Sequence, residues 1–406
     1  MGGTFVQYGA GNIGRGFLGQ VFGEAGYEIK FIDVNPDIIN EMNKENKYPI
    51  NIISRHNPRE VWIKNVSCVN GLDEQAVALA ISNADIMAVS VGVNILPRIV
   101  KNLVKGFRLR WAQNNLKPLD IIIAENLIDA DSMLRGLITD ILSDDEQILF
   151  EKTIGLVESS VGRMVPVMTS EMSRGNILRV CVENYCELPV DKSAFKGEVP
   201  QIPHLHPFEP FEFFIKRKLY IHNMGHALAA YLGFVYGYDY VWQAIENPYI
   251  KLIVQRAMTE SGTALSKQFS VPLSGILEHI SDLLLRFANR ELGDTVSRVG
   301  RDVLRKLRST DRFVGAINMC NGQSVNSLYI PVGIAAALLF AGSSDTTAIE
   351  DADTVLVNTC GLEKDSAEFN IIKDYYGLLI KNIKPDKLLS QIEGRQEIQF
   401  SKKVII

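Results

Sequence analysis

The chain has 406 residues, 47% hydrophobic and 22% charged, a globular composition with room for two domains. Its net charge of −5 is mild and argues against a nucleic-acid partner. The longest apolar run, residues 330–342, is too short for a bilayer and is interrupted by Pro331 and glycines, so no membrane partner is expected.

The chain opens with MGG and runs straight into FVQYGAG, so no leader is expected. Phe5 to Tyr8 read as a strand. Gly9, Gly11 and Gly14 then form G-x-G-x-x-G, and an apolar periodic helix follows from about Ile13 to Ala25. Tyr27 to Ile32 read as a second strand, ending at Asp33. The first glycine makes a tight turn, the second lets pyrophosphate approach, and the third lets helix and strand pack closely. Pyrophosphate would sit on the helix N-terminus, where free N–H groups favour an anion. Asp33 is placed to bond the adenosine ribose, and its charge should repel a 2′-phosphate. NAD is therefore the expected cofactor, preferred over NADP.

More α/β units follow. Residues 84–91 form a buried strand, with Gly92 and Asn94 just past its carboxyl end, where ligands bind in parallel sheets. The cofactor site is thus assigned to Gly9, Gly11, Asn12, Ile13, Gly14, Asp33, Gly92 and Asn94. Residues 119–124 form another strand, and Glu125-Asn126 follows directly. Asn126 can face the nicotinamide and substrate, or serve a turn or cap of a helix over 127–142. The basic KNLVKGFRLR reads as a solvated helix face. Residues 151–200 are rich in β-branched runs and are expected to extend the sheet. EVPQIPHLHPFEPFE, with four prolines in fifteen residues, marks the expected boundary between a Rossmann-type domain, 1–203, and a mainly α-helical domain, 204–406.

From Phe213 on, the patterns are helical: 218–232, 241–268, 273–288, 294–308, 331–342, 366–383 and a short last helix near 387–392. KLYIHNMGH carries Lys218, Asn223 and His226 on one broad face. Hydride transfer from an alcohol needs a base for the hydroxyl proton and donors for the developing oxyanion. Burial lowers a lysine pKa, so Lys218 fits the base, and Asn223 with Asn126 fits the donors. His226 can orient the lysine or bond a substrate oxygen. Further on, Arg298, Arg301 and Arg305 are spaced to share a helix face near Lys306. Arg301, Arg305 and Lys306 are candidates for an anionic substrate, although such runs are more often solvated.

His222 and His226 have a spacing that zinc sites use, but Asn223 stands where a metalloprotease has glutamate, so no metal is assigned. The five cysteines (Cys68, Cys181, Cys186, Cys320, Cys360) show no metal-like spacing and point to free thiols in a reducing cytoplasm.

The chain resembles the polyol-specific long-chain dehydrogenases of the mannitol dehydrogenase family. The family motif K-x-x-x-x-N-x-x-H reads K-L-Y-I-H-N-M-G-H here. GAGNIGRGF, AENL at Glu125, VENYCELPVDKSAFKG at Val182 and RVGRDVLRKL at Arg298 also match, in order over most of the chain. The resemblance implies a Rossmann domain, a helical C-terminal domain, a metal-independent mechanism and an active site between the two. By motif match, Lys218 would be the base, Asn223 and Asn126 would hold the carbonyl oxygen, and His226 would assist substrate binding. The implied reaction is NAD-dependent interconversion of a polyol phosphate, or alternatively a sugar acid, with its keto sugar, by a monomer or homodimer. A non-catalytic NAD-responsive regulator is the contrasting expectation. Relatives commonly carry V-D-R before a proline, whereas Val161-Gly162-Arg163 precedes Pro166 here.

Overall fold

The structure, a computed structural model, describes residues 2–54, 57–127, 129–166, 168–343 and 351–404; the side chains of 343 and 397–404 are not described. The strands are β1 (Thr4–Tyr8), β2 (Glu28–Asp33), β3 (Lys47–Ile53), β4 (Arg59–Lys64), β5 (Val66–Asn70), β6 (Ile86–Val89), β7 (Leu119–Ile123), β8 (Ile154–Glu158), β9 (Val180–Glu183), β10 (Leu188–Asp191) and β11 (Leu205–Phe208). Contacts divide the chain into two units, Met1–Phe214 and Ile215–Ile406.

The first unit is built on a six-stranded sheet, ordered β5-β2-β1-β6-β7-β8, with every pair parallel. That is the doubly wound order, which reverses direction between β1 and β6. Side chains alternate between two cores, as the strand period demands. Phe5, Ile29 and Phe31 enter one. Val6, Ile32 and Ile121 enter the other. β6 and β7 are buried throughout, as expected of central strands covered on both faces.

The expectation for residues 151–200 holds only for β8. β9 joins a separate sheet, β4-β3-β9, and β10 pairs with β11. The β3–β4 hairpin, inserted between β2 and β5, offers β9 a free edge, with Ile50 facing Val180.

The named elements after Phe208 are all helical. Met224–Val235 is buried almost all round and packs against Pro248–Phe269 and Ile330–Ser343. The helix expected over 241–268 breaks at Asn247. Pro248 cannot donate a backbone hydrogen bond, and the Asn247 side chain caps the new helix at Tyr249 N, 3.1 Å, and Ile250 N, 3.3 Å. The last helix is longer than expected, Pro385–Val404. No helix among the described residues is long and apolar enough to cross a membrane.

The apolar helix Ile330–Ser343 takes its N-terminal acceptor from a distant residue. Glu260 accepts hydrogen bonds from Leu328 N (2.7 Å), Tyr329 N (3.0 Å) and Ile330 N (3.1 Å). Glu260→Ala should lower the unfolding free energy by about 2 kcal/mol in urea titrations, with a smaller loss for Glu260→Gln, whose amide oxygen still accepts.

Candidate active site

The chain turns sharply after β1. Gly9 has φ +96°, and a Cβ there would lie 2.5 Å from Ser90 O. At Gly14 a Cβ would lie 2.0 Å from Gly9 O, so helix and turn touch backbone to backbone. Over Gly11 a Cβ would meet nothing within 4 Å. That opening is what a pyrophosphate needs, so the residues present fit a dinucleotide. Exposed Asn12 and half-buried Ile13 begin the helix, which is π-wound over Gly14–Leu18 and α-helical over Gly19–Glu24.

Asp33 ends β2 and braces the same turn. Its Oδ2 accepts from Ala10 N at 2.7 Å and its Oδ1 from Asn35 N at 2.9 Å. A carboxylate has about four lone-pair sites, so capacity for ribose hydroxyls remains. Val34 and Leu72, apolar residues 60% and 74% exposed, follow β2 and β5 beside it.

Gly92 and Asn94 are exposed in the turn after β6. Sequence reasoning assigned no role to Glu125, which holds that turn. Its Oε1 accepts from Val91 N at 2.7 Å and Gly92 N at 2.9 Å. Burial raises its pKa, against the pull of these two bonds. An acid directly after a buried strand was the available signal. Asn126 is the next residue and is exposed at the carboxyl end of β7.

Two buried arginines brace the segment around the glycine turn. Arg15 donates from Nε to Ala10 O at 2.6 Å and from Nη1 to Leu178 O at 2.6 Å. Arg163 donates to Glu183 O and, at 2.7 Å each, to Gly16 O and Gln20 Oε1. A cavity of about 470 Å³ begins at Asn12 and Arg15 and is also lined by Thr169, Ser173 and Arg179. At Gly162 a Cβ would lie 3.4 Å from the Tyr185 ring, an ordinary contact distance.

In the second unit, Lys218–Asn223 is π-helical, between α-helical Glu212–Arg217 and Met224–Val235. In an α-helix, residues five apart point about 140° away from each other. The i→i+5 bonding of a π turn brings such a pair nearer to one line. Lys218 and Asn223 are that pair, and with His226 they are half-buried. Gly225 lets the helix press on its neighbour, since a Cβ there would lie 2.5 Å from Met258 Sδ.

Burial, then the charge of Arg312, lowers the Lys218 amine to about 8. His226 stacks on Phe287, with centroids 4.8 Å apart. Its Nε2 lies 3.1 Å from Asp294 Oδ2, without hydrogen-bond alignment. Burial, followed by Arg298, Lys306, Arg312 and Arg286, lowers its pKa to about 3, so the ring is neutral at physiological pH. His222 is a buried histidine against Phe287, held neutral by burial. Among the described residues, no three His, Cys, Asp or Glu side chains gather as a metal site would require.

The basic segment departs from its expected single helix. It forms Val296–Gly300 and Val303–Lys306, separated by extended Arg301 and by Asp302 at φ +58°. Gly300, a weak helix former, lies where a Cβ would meet the Phe340 ring at 2.5 Å. Arg298, Arg301 and Arg305 therefore do not share one helical face. Arg301 is exposed. Arg305 pairs with Asp311 at 3.2 Å and Asp302 at 3.7 Å. Lys306 is buried and donates to Val299 O at 2.5 Å.

A dinucleotide-binding sheet followed by a helical domain defines a class of two-domain oxidoreductases. Residues 4–204 match the family model of the mannitol dehydrogenase Rossmann domain, and residues 210–368 that of the mannitol dehydrogenase C-terminal domain. The chain belongs to the mannitol dehydrogenase family. Its fold is similar to that of Pseudomonas fluorescens mannitol 2-dehydrogenase, solved as a ternary complex with NAD and D-mannitol. That match has TM-score 0.70 and 13% identity, over 96% of this chain and 94% of the other. A D-sorbitol dehydrogenase in substrate-free form gives TM-score 0.75 and 14% identity, over 98% and 93%.

The glycine geometry separates two roles. Gly14→Ala should lower the melting temperature, because its methyl has no space. Gly11→Ala should melt as the wild type yet bind NADH at least about tenfold more weakly, as measured by fluorescence titration.

Proposed function

We propose that this chain is an NAD-dependent dehydrogenase that interconverts mannitol 1-phosphate and fructose 6-phosphate, the activity of a mannitol-1-phosphate 5-dehydrogenase. The observation that carries the chemistry is the π turn, which brings a lysine with a lowered pKa nearer to one line with an asparagine. The family membership supports an alcohol–ketone interconversion.

The residues that would hold the cofactor are Gly9, Gly11, Asn12, Ile13, Gly14, Asp33, Gly92 and Asn94. Val34 and Leu72 offer the adenine an apolar surface. Asp33 faces the ribose, and Val34-Asn35 after it supply no cation for a 2′-phosphate, which supports NAD over NADP. A bound nicotinamide ring supplies or accepts the hydride at the substrate's carbonyl carbon.

Lys218 gives a proton to the carbonyl oxygen in reduction and takes it back in oxidation. Asn223 would donate its amide N–H to the same oxygen, so charge developing there is met by a fixed dipole, and Asn126 remains the first unit's candidate donor. A neutral His226 can donate from one ring nitrogen and accept at the other, which suits a substrate hydroxyl. Arg301, Arg305 and Lys306 remain candidates for contact with the anionic end of the substrate.

The pH response follows from the lysine. Its charged form prevails below about 8 and is the acid for reduction. The reduction rate should therefore fall as pH rises through about 8, while the oxidation rate rises and levels off above it. Opposite trends would remove Lys218 from the proton step. Lys218→Ala should still bind NADH but lose about 10²–10⁴-fold in turnover. The substrate is tested by NADH oxidation against fructose 6-phosphate, fructose, fructuronate and tagaturonate. Preference for the uronates would transfer the reading to a sugar-acid reductase, and turnover of none would leave a nucleotide-binding regulator.

A further inference from the structure

The loop between Arg308 and Val314 is fixed against the turn that carries Lys218. Tyr220 donates its hydroxyl to Thr310 O at 3.4 Å, and a Cβ built on Gly315 would lie 2.7 Å from the Tyr220 ring. Arg312 lies between these two contacts in sequence.

Asp311 splints Arg312. The backbone N and the Nε of Arg312 both donate to Asp311 Oδ1, at 2.7 and 2.9 Å. The other carboxylate oxygen is taken by Arg305 at 3.2 Å. The Arg312 side chain is only 13% exposed. Its Nη1 and Nη2 make no hydrogen bond to any described residue, yet neither is sealed from solvent. The result is a fixed, half-hidden guanidinium with its fork open.

Among the described residues, the neighbouring carboxylates are already engaged. Asp311 is shared with Arg305, Asp302 also faces Arg305, and Asp294 is engaged by Arg298. Lys306 lies over the Tyr231 ring at 5.9 Å, and burial, then the charges of Arg312 and Arg305, lower its amine to about 7. Lys218, Lys306 and His226 all feel the charge of Arg312. A concentration of positive charge around a preorganised fork is the arrangement that receives a planar-faced oxyanion, because two parallel charge-assisted bonds form without reorganising the side chain.

We infer that the open fork of Arg312 is the subsite that receives the phosphate group of the substrate. This rests on the polyol phosphate reading above. It also moves anion recognition from Arg301, exposed beside the helix break, to a residue outside the expected helix. The phosphate would be anchored at the loop that touches the Lys218 turn, so recognising the anion and presenting the carbonyl to Lys218 become one binding event.

Arg312→Gln and Arg312→Lys separate the possibilities. Thermal melts verify the fold of each, and the lysine variant carries the test if the glutamine variant melts early. In steady-state NADH oxidation, Arg312→Gln should raise the KM for fructose 6-phosphate by about 10–100-fold, with a smaller change in kcat, and Arg312→Lys should recover part of the loss. Inorganic phosphate should compete with fructose 6-phosphate in the wild type and lose that competition in Arg312→Gln. A folded Arg312→Gln enzyme with wild-type KM and wild-type phosphate inhibition overturns the subsite while leaving the dehydrogenase reading intact. Should the wild type reduce no sugar phosphate, calorimetry with inorganic phosphate still decides. Binding that Arg312→Gln abolishes supports the subsite, and equal binding by both proteins overturns it.

Discussion

The whole nucleotide-binding end depends on a backbone contact that no side chain could share. Gly14 lies so close to the Gly9 carbonyl that even a methyl group is excluded. This contact brings the start of the first helix onto the end of β1, at the point where the sheet order reverses. Everything else at this end is arranged around it. Asp33 reaches across to Ala10, Arg15 ties Ala10 to the 177–178 backbone, and Glu125 ties the turn after β6 to the end of β7. The charged residues thus serve mainly to hold a turn whose shape the glycines permit.

The helical unit uses a different device. Here a change of helical winding, rather than a turn, sets the proposed catalytic groups. The π turn at Lys218–Asn223 buries Ile221 and His222 and runs into buried Met224 and Gly225, so its widening is held in place by packing. π turns of this kind occur often at functional sites, because they displace a side chain without ending the helix. The same burial keeps two histidines neutral and brings a lysine amine towards neutrality. Desolvation and several nearby cations act in one direction there.

Much of this was legible in the sequence, for local reasons. The glycine spacing, the apolar runs of β6 and β7 and the acid ending β2 are short-range patterns, and they foretold the doubly wound sheet. The helical second half was legible from its periodicity. The illegible parts depend on long-range partners. Whether β9 joins the main sheet or the β3 edge is decided by pairing between Ile50 and Val180, far apart in sequence. Arg298, Arg301 and Arg305 have helical spacing, but Phe340 and a left-handed Asp302 break the helix. The π winding leaves no mark that a 3.6-residue period would show. Nothing local in the sequence singles out Arg312, because its splint by Asp311 and its open fork exist only in three dimensions.

The dependence of Ile330–Ser343 on Glu260 has a consequence for how the helical unit holds together. This helix carries no charge of its own, and its first N–H groups are satisfied by a carboxylate 70 residues earlier. Helix nucleation is costly, and a segment without its own cap gains little from forming alone. The helix therefore depends on a partner far back in the chain for its first turn. Its N-terminal end and Pro248–Phe269, which presents Glu260, are thus coupled, so loosening one helix exposes unpaired N–H groups of the other.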